Sequence, residues 1–167
     1  MKSINIKYSN KNIIAQIIIF VLFTITNHRC EAYDTTTNII VQKLCLEKNA
    51  VKVYLKRNHI NKSFRAKIEE HTDERFRIAN PNKKFRGGCT RTIFNFYRPS
   101  QRLILYVESK NYSMLYYEQG GHHLSKLITI YDKANGSIIS LYLNEPAKTL
   151  EHIFKLLEEN KYSITHT

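Results

Sequence analysis

Tryptophan is absent from this chain, glycine is confined to five positions and proline to three. So few backbone punctuators exclude a collagen-like or low-complexity polymer and leave no Pro/Gly linker at which a second domain could begin. Cysteine is as scarce: Cys30, Cys45 and Cys89 stand far apart. No CxxC pair or Cys/His spacing occurs, which excludes the usual structural zinc sites. A P-loop, a GxSxG elbow, an HExxH helix and a paired-carboxylate signature are all missing. The reading therefore leans away from an enzyme and expects no cofactor or metal.

Long apolar runs are missing too, with one exception. Residues 1–12 carry Lys2, Lys7 and Lys11 and no acid, and residues 13–26 are almost wholly apolar. A positive start, a short greasy stretch, then Cys30 and Ala32 as the small residues before a cut form the layout of a secretory signal peptide. The run falls short of the roughly 17–25 residues that span a bilayer. Cleavage after Ala32 is expected, with residues 1–32 removed and residues 33–167 left as one secreted, extracellular domain. In an oxidising compartment the remaining pair, Cys45 and Cys89, is then expected to form a disulfide. The sequons at Asn61, Asn111 and Asn135 fit the same compartment and mark turns where glycans could be attached.

Acidic residues are in short supply, 14 against 26 Lys and Arg. The imbalance is uneven: residues 33–91 hold 14 basic and 6 acidic side chains, residues 92–167 hold 8 and 7. A net charge concentrated in one half points to a basic surface for a polyanion. The alternative is a solvated face with no partner.

What the chain does have is pattern. Val51, Val53 and Leu55 alternate with Lys52, Tyr54 and Lys56; Phe64, Ala66 and Ile68 alternate with Arg65, Lys67 and Glu69; Phe76 and Ile78 alternate with Arg75 and Arg77. Period two is the mark of half-buried strands. Further strands are expected at 93–97, 102–108, 113–118, 126–131 and 138–143, the last four as a meander. That meander puts the loops holding Asn111 and Asn135 at one end of the sheet. Asn135-Gly136 supplies the positive φ of a tight hairpin. Residues 39–46 read as either strand or helix, and the expected disulfide favours a segment that crosses the sheet without pairing. Leu150, Ile153, Phe154, Leu156 and Leu157 form the stripe of an amphipathic helix, with Asn144 as its cap and Pro146 in its first turn. The fold class read from this is β-rich α+β: an antiparallel sheet, as a sandwich or partly closed barrel, with one packed C-terminal helix. The tyrosines of the C-terminal half (Tyr97, Tyr106, Tyr112, Tyr116, Tyr117, Tyr131, Tyr142) are read as filling that sheet.

The leading site is the basic strand face Lys52, Lys56, Arg65, Lys67, Arg75 and Arg77, with the loop cations Lys83, Lys84 and Arg86. Cations at period two point the same way from a sheet, as a linear polyanion requires. A glycosaminoglycan, another anionic surface or an extracellular protein is the expected partner. Nucleic acid is not suggested, because few aromatics interleave for base stacking. The histidines His71, His122 and His123 are the weaker catalytic candidates, as acid and base. The function read from the sequence is a secreted, non-enzymatic binding or effector-type protein. Its rivals are a secreted hydrolase of phosphodiester-type substrates using those histidines, and a carrier of a small apolar ligand.

Overall fold

Four runs of β-branched and aromatic residues in the C-terminal half fold as a meander. The computed structural model describes residues 35–72, 75–88, 98–120 and 124–165. Chain contacts separate Met1–Asn38 from Ile39–Thr167; the described residues of the first unit, 35–38, are helical.

The strands are β1 (Lys52–Tyr54), β2 (Ile78–Ala79), β3 (Gln101–Glu108), β4 (Tyr112–Gln119), β5 (Ser125–Asp132), β6 (Ile138–Leu143) and β7 (Tyr162–Ile164). They form one open sheet in the order β1-β3-β4-β5-β6-β7, with β2 also beside β3. Both β1 and β2 use the outer edge of β3: β1 pairs antiparallel with Tyr106–Glu108, and β2 pairs parallel with Gln101 and Arg102. A register shift between Leu103 and Leu105 separates these pairings. All other pairings are antiparallel.

Helices take the place of the second sheet that a sandwich would need. Helix α1 covers residues 35–46, α2 is Lys62–Thr72 and α3 is Leu150–Glu158. Ile40, Val41 and Leu44 of α1 and Ile153, Phe154, Leu156 and Leu157 of α3 pack on one sheet face, with Val107, Met114, Tyr116, Ile128, Ile130 and Leu141. On the other face Phe64 and Ile68 of α2 pack with Ile78, Leu103, Tyr106, Leu115, Tyr117, Leu127 and Tyr131. Covered on both sides, β4 is buried from Tyr112 to Glu118. The expected α+β class and antiparallel meander are present. The expected sandwich or barrel and the single helix are not: the sheet is open, and three helices lie among the described residues.

Two local readings change, and one left open is decided. Residues 64–69 are helical, although Phe64, Ala66 and Ile68 alternate; positions i and i+4 share a helix face as well, and Ala66 is exposed. Asn61 decides the choice, its Oδ1 accepting from the Ser63 N–H at 2.8 Å and the Ser63 hydroxyl at 2.7 Å, the cap a helix start requires. Residues 39–46 are also helical. The cap of α3 is Thr149, which accepts from the His152 N–H at 3.1 Å; the helix begins at Leu150, too far along the chain for an Asn144 cap, and the Asn144 N–H donates to the Lys161 carbonyl at 3.1 Å. Pro146 therefore precedes that helix.

The Asn111 and Asn135 loops do share one end of the sheet: the Lys133 N–H donates to the Asn111 carbonyl at 2.9 Å, and Gly136 has the expected positive φ of 68°. The expected strand at 93–97, Tyr97 and the Gly121-His122-His123 loop lie outside the described residues.

Candidate functional site

The far end of the sheet carries the feature with chemical potential. Alternate residues of β4, β5 and β6 (Tyr117 and Gln119, Leu127 and Thr129, Ile138, Ser140 and Tyr142) form a floor that α2 covers only in part. The uncovered part is a cleft of about 590 Å³, walled by His71, Thr72, Arg75, Phe76, Arg77, Arg86, Arg98 and the start of β3. Chain connections explain why arginines gather there. The segment after α2 must return to pair β2 with the start of β3, which carries Arg75 and Arg77 along the rim. The Phe76 N–H donates to Glu69 Oε1 at 2.8 Å, holding that return against α2.

Arg86 and Arg98 arrive from a second direction. The Arg86 N–H donates to the Pro99 carbonyl at 2.8 Å, and the Gly120 N–H to the Ser100 carbonyl at 2.8 Å. The Phe85 ring lies 4.4 Å beneath the Arg102 guanidinium, itself paired with Glu118 at 2.5 Å. Gly120 is required here: a Cβ on it would stand 2.0 Å from the Arg86 carbonyl oxygen. Only a residue without a side chain lets the loop lie so close to the end of β4.

The electrostatics are one-sided. No carboxylate lines the cleft among the described residues, and Arg75, Arg77, Arg86 and Arg98 have no ion pair there. By contrast, Lys48, Lys67, Lys133 and Lys161 are each paired with a glutamate. The C-terminal end of α2 adds about half a negative charge and the Glu69 carboxylate at the Phe76 N–H a whole one, against four arginines. The floor is polar where it is deepest: Thr129 Oγ1 donates to the Tyr117 hydroxyl at 3.3 Å and lies 3.1 Å from Ser140 Oγ. Burial pushes the Tyr117 phenol up, the Thr129 hydrogen bond partly opposing it.

Of the expected strand-face and loop cations, the fold brings Arg75, Arg77 and Arg86 to one cleft and disperses the others. Lys52 lies on β1 opposite Glu108, and Lys56 precedes a 3-10 turn at Arg57–His59. Arg65 and Lys67 belong to α2; Arg65 donates to the Arg57 carbonyl, and Lys67 pairs with Glu70 at 2.7 Å. Lys83 and Lys84 are exposed on the loop. Arg98 was not among the expected residues; its signal was a cation beside Pro99, at the point where the chain turns into β3. His71 lines the cleft, while His122 and His123 lie outside the described residues.

The remaining expected sites are placed as follows. Asn61 caps α2, Asn111 Nδ2 donates to Glu47 Oε1 at 2.5 Å, and exposed Asn135 donates to Asp132 Oδ2 at 3.1 Å. Cys45 is a free, buried thiol, and Cys89, with which a disulfide was expected, lies outside the described residues. Burial, then the nearby Glu158 charge, pushes that thiol from 9.0 to about 11. Cys45 also lines a second hollow of about 500 Å³ between α1 and α3, with Val41, Leu46 and Leu157. No group of three metal-ligating side chains occurs among the described residues, and no helix among them is long and apolar enough to cross a membrane.

No family model matches the chain, and no curated protein or solved structure is detectably similar to it.

Proposed function

We propose that this is a secreted binding protein that engages an anionic partner through the arginine cleft. One observation carries the reading: four arginine residues line one hollow with neither an ion pair nor a lining carboxylate among the described residues. Like charges gathered at one surface repel one another. An unpaired cluster therefore costs stability, and an anionic ligand relieves that cost. The basic surface read from the sequence is thereby narrowed to its arginine part, and the signal peptide at residues 1–32 supplies the extracellular setting.

A salt gradient on immobilised heparin tests this. Replacing Arg75, Arg77, Arg86 and Arg98 together by Ala should lower the eluting salt far more than replacing Lys52, Lys56, Lys62 and Lys148 by Ala, which removes the same charge. Equal shifts from the two quadruple variants would mean that net charge alone is at work, and the cleft reading would fail.

A hydrolase remains the second reading because His71 borders the same cleft. It requires phosphodiester cleavage that His71→Ala abolishes. The apolar-carrier reading finds no support between the sheet and α3, where Ile153, Phe154, Leu156 and Leu157 are buried against the strands.

A further inference from the structure

The cleft says more about its ligand than the sign of the charge. This step rests on the anion reading above and narrows it to a substrate class. We infer that the cleft takes a compact oligophosphate ester, gripped by arginine forks at the rim and hydrogen-bonded by the buried hydroxyl relay on the floor.

The choice of cation is the first argument. Lysines outnumber arginines in the sequence, yet the four Lys or Arg residues lining the cleft, Arg75, Arg77, Arg86 and Arg98, are all arginine. A solubilising surface or a loosely held polyanion makes no such distinction. A planar fork of N–H donors is selected where tetrahedral oxyanions are bound two oxygens at a time, a geometry that an ammonium group does not reproduce.

Shape is the second. A linear polymer lies along a face and needs no hollow, whereas this cleft is bounded by the strand floor, the end of α2 and the loops carrying Arg86 and Arg98. Its volume of about 590 Å³ falls within the roughly 300–1,000 Å³ of small-molecule sites. Four arginines with no ion pair among the described residues also call for several negative charges in a small space. A single sulfate supplies too few.

The floor supplies the third. Tyr117, Thr129 and Ser140 are buried and linked in a row, Ser140 to Thr129 at 3.1 Å and Thr129 to Tyr117 at 3.3 Å. Three hydroxyls carry three hydrogens, and two are used between them. With Thr129 donating to Tyr117, Ser140 donates to Thr129 and the Tyr117 O–H keeps its hydrogen for a ligand oxygen. Burial holds that phenol protonated, so it remains a donor throughout the neutral range.

Titration calorimetry on the purified full chain, at fixed ionic strength, separates this inference from the broader one. The probes are sulfate, orthophosphate, tripolyphosphate and ATP. Tripolyphosphate or ATP should bind at least tenfold tighter than sulfate or orthophosphate. The charge-conserving pair Arg77→Lys with Arg98→Lys should weaken that binding about tenfold and Tyr117→Phe about threefold, while Lys52→Ala with Lys56→Ala, outside the cleft lining, should leave it nearly unchanged. ATP binding tighter than tripolyphosphate assigns the ligand to nucleotides; equal or weaker ATP binding means that the phosphate chain alone is recognised, and the ester part of the inference is withdrawn. Full affinity in the Lys pair, or no preference for tripolyphosphate over sulfate, overturns the inference. If heparin retention still depends on the four arginines, the anion reading survives that result; if it does not, both fall.

Discussion

The Tyr116 hydroxyl holds together the chain that leads from the sheet to α3. It accepts from the Ala147 N–H at 3.1 Å and donates to the Ala147 carbonyl at 3.3 Å. Tyr116→Phe strips both buried backbone groups of their partner and should cost about 1–3 kcal/mol in urea unfolding; a loss below about 0.3 kcal/mol would show that the pairing contributes nothing. The cleft arginines should behave in the opposite sense. Arg77→Gln removes repulsion, so it should leave stability unchanged or raise it by a few tenths of a kcal/mol while weakening heparin retention. A destabilised, normally retained variant would show Arg77 to be structural. Gly120→Ala drives a Cβ to 2.0 Å from the Arg86 carbonyl and should cost about 1–3 kcal/mol. It should weaken anion binding too, because Arg86 is displaced. At this scale Arg75, Arg77 and Arg86 were legible as basic positions. Arg98 was not, since an isolated cation beside a proline carries no periodic signal, and nothing local indicates that Gly120 lies beneath residue 86.

Among the elements, α3 was legible and α2 was not, and the difference is physical. The α3 stripe repeats at positions 150, 153, 154 and 157, which only a helix gathers on one face. In α2 the buried residues are Phe64 and Ile68 alone, a spacing that strand and helix both satisfy. Tertiary burial settles it: the Phe64 ring stacks 5.5 Å from Tyr131 and 6.2 Å from Tyr106. Phe64→Ala should therefore cost about 3–5 kcal/mol, whereas loss of the α3 cap in Thr149→Ala should cost about 1 kcal/mol. Chemical denaturation of both variants checks the ranking. Comparable losses would mean that α2 is a peripheral strap and that the second core is not cooperative with the first. The meander strands were legible because each is long, β-branched or aromatic, and bounded by turn residues. The short β1 and β2 begin within the period-two runs at 51–56 and 75–78, but their pairing with the edge of β3, distant in sequence, was not legible.

For the whole molecule the buried acids set a limit on the alkaline side. Between pH 9 and about 11 the unfolded Cys45 thiol has lost its proton while the buried one retains it. The native state then binds more protons, so stability falls as pH rises. Burial likewise pushes the phenols of Tyr106, Tyr112, Tyr116 and Tyr117 above 10.0, which extends the decline. Urea midpoints should drop steadily above pH 9, and Cys45→Ala should flatten the portion between 9 and 11; midpoints flat from pH 8 to 11 would contradict the burial of these groups. Intact mass of the exported product should place its N-terminus at Tyr33, and a product retaining Met1 would remove the secretory reading. By itself the sequence determined the antiparallel meander, its turns, the amphipathic C-terminal helix and the excess of cations, because each is written in residues close together along the chain. Only the tertiary structure decided that the sheet stays open between helices, that Cys45 is a free thiol, and that arginines from three separate segments face one hollow. Those outcomes depend on burial and on distances between residues far apart in sequence, and local pattern encodes neither.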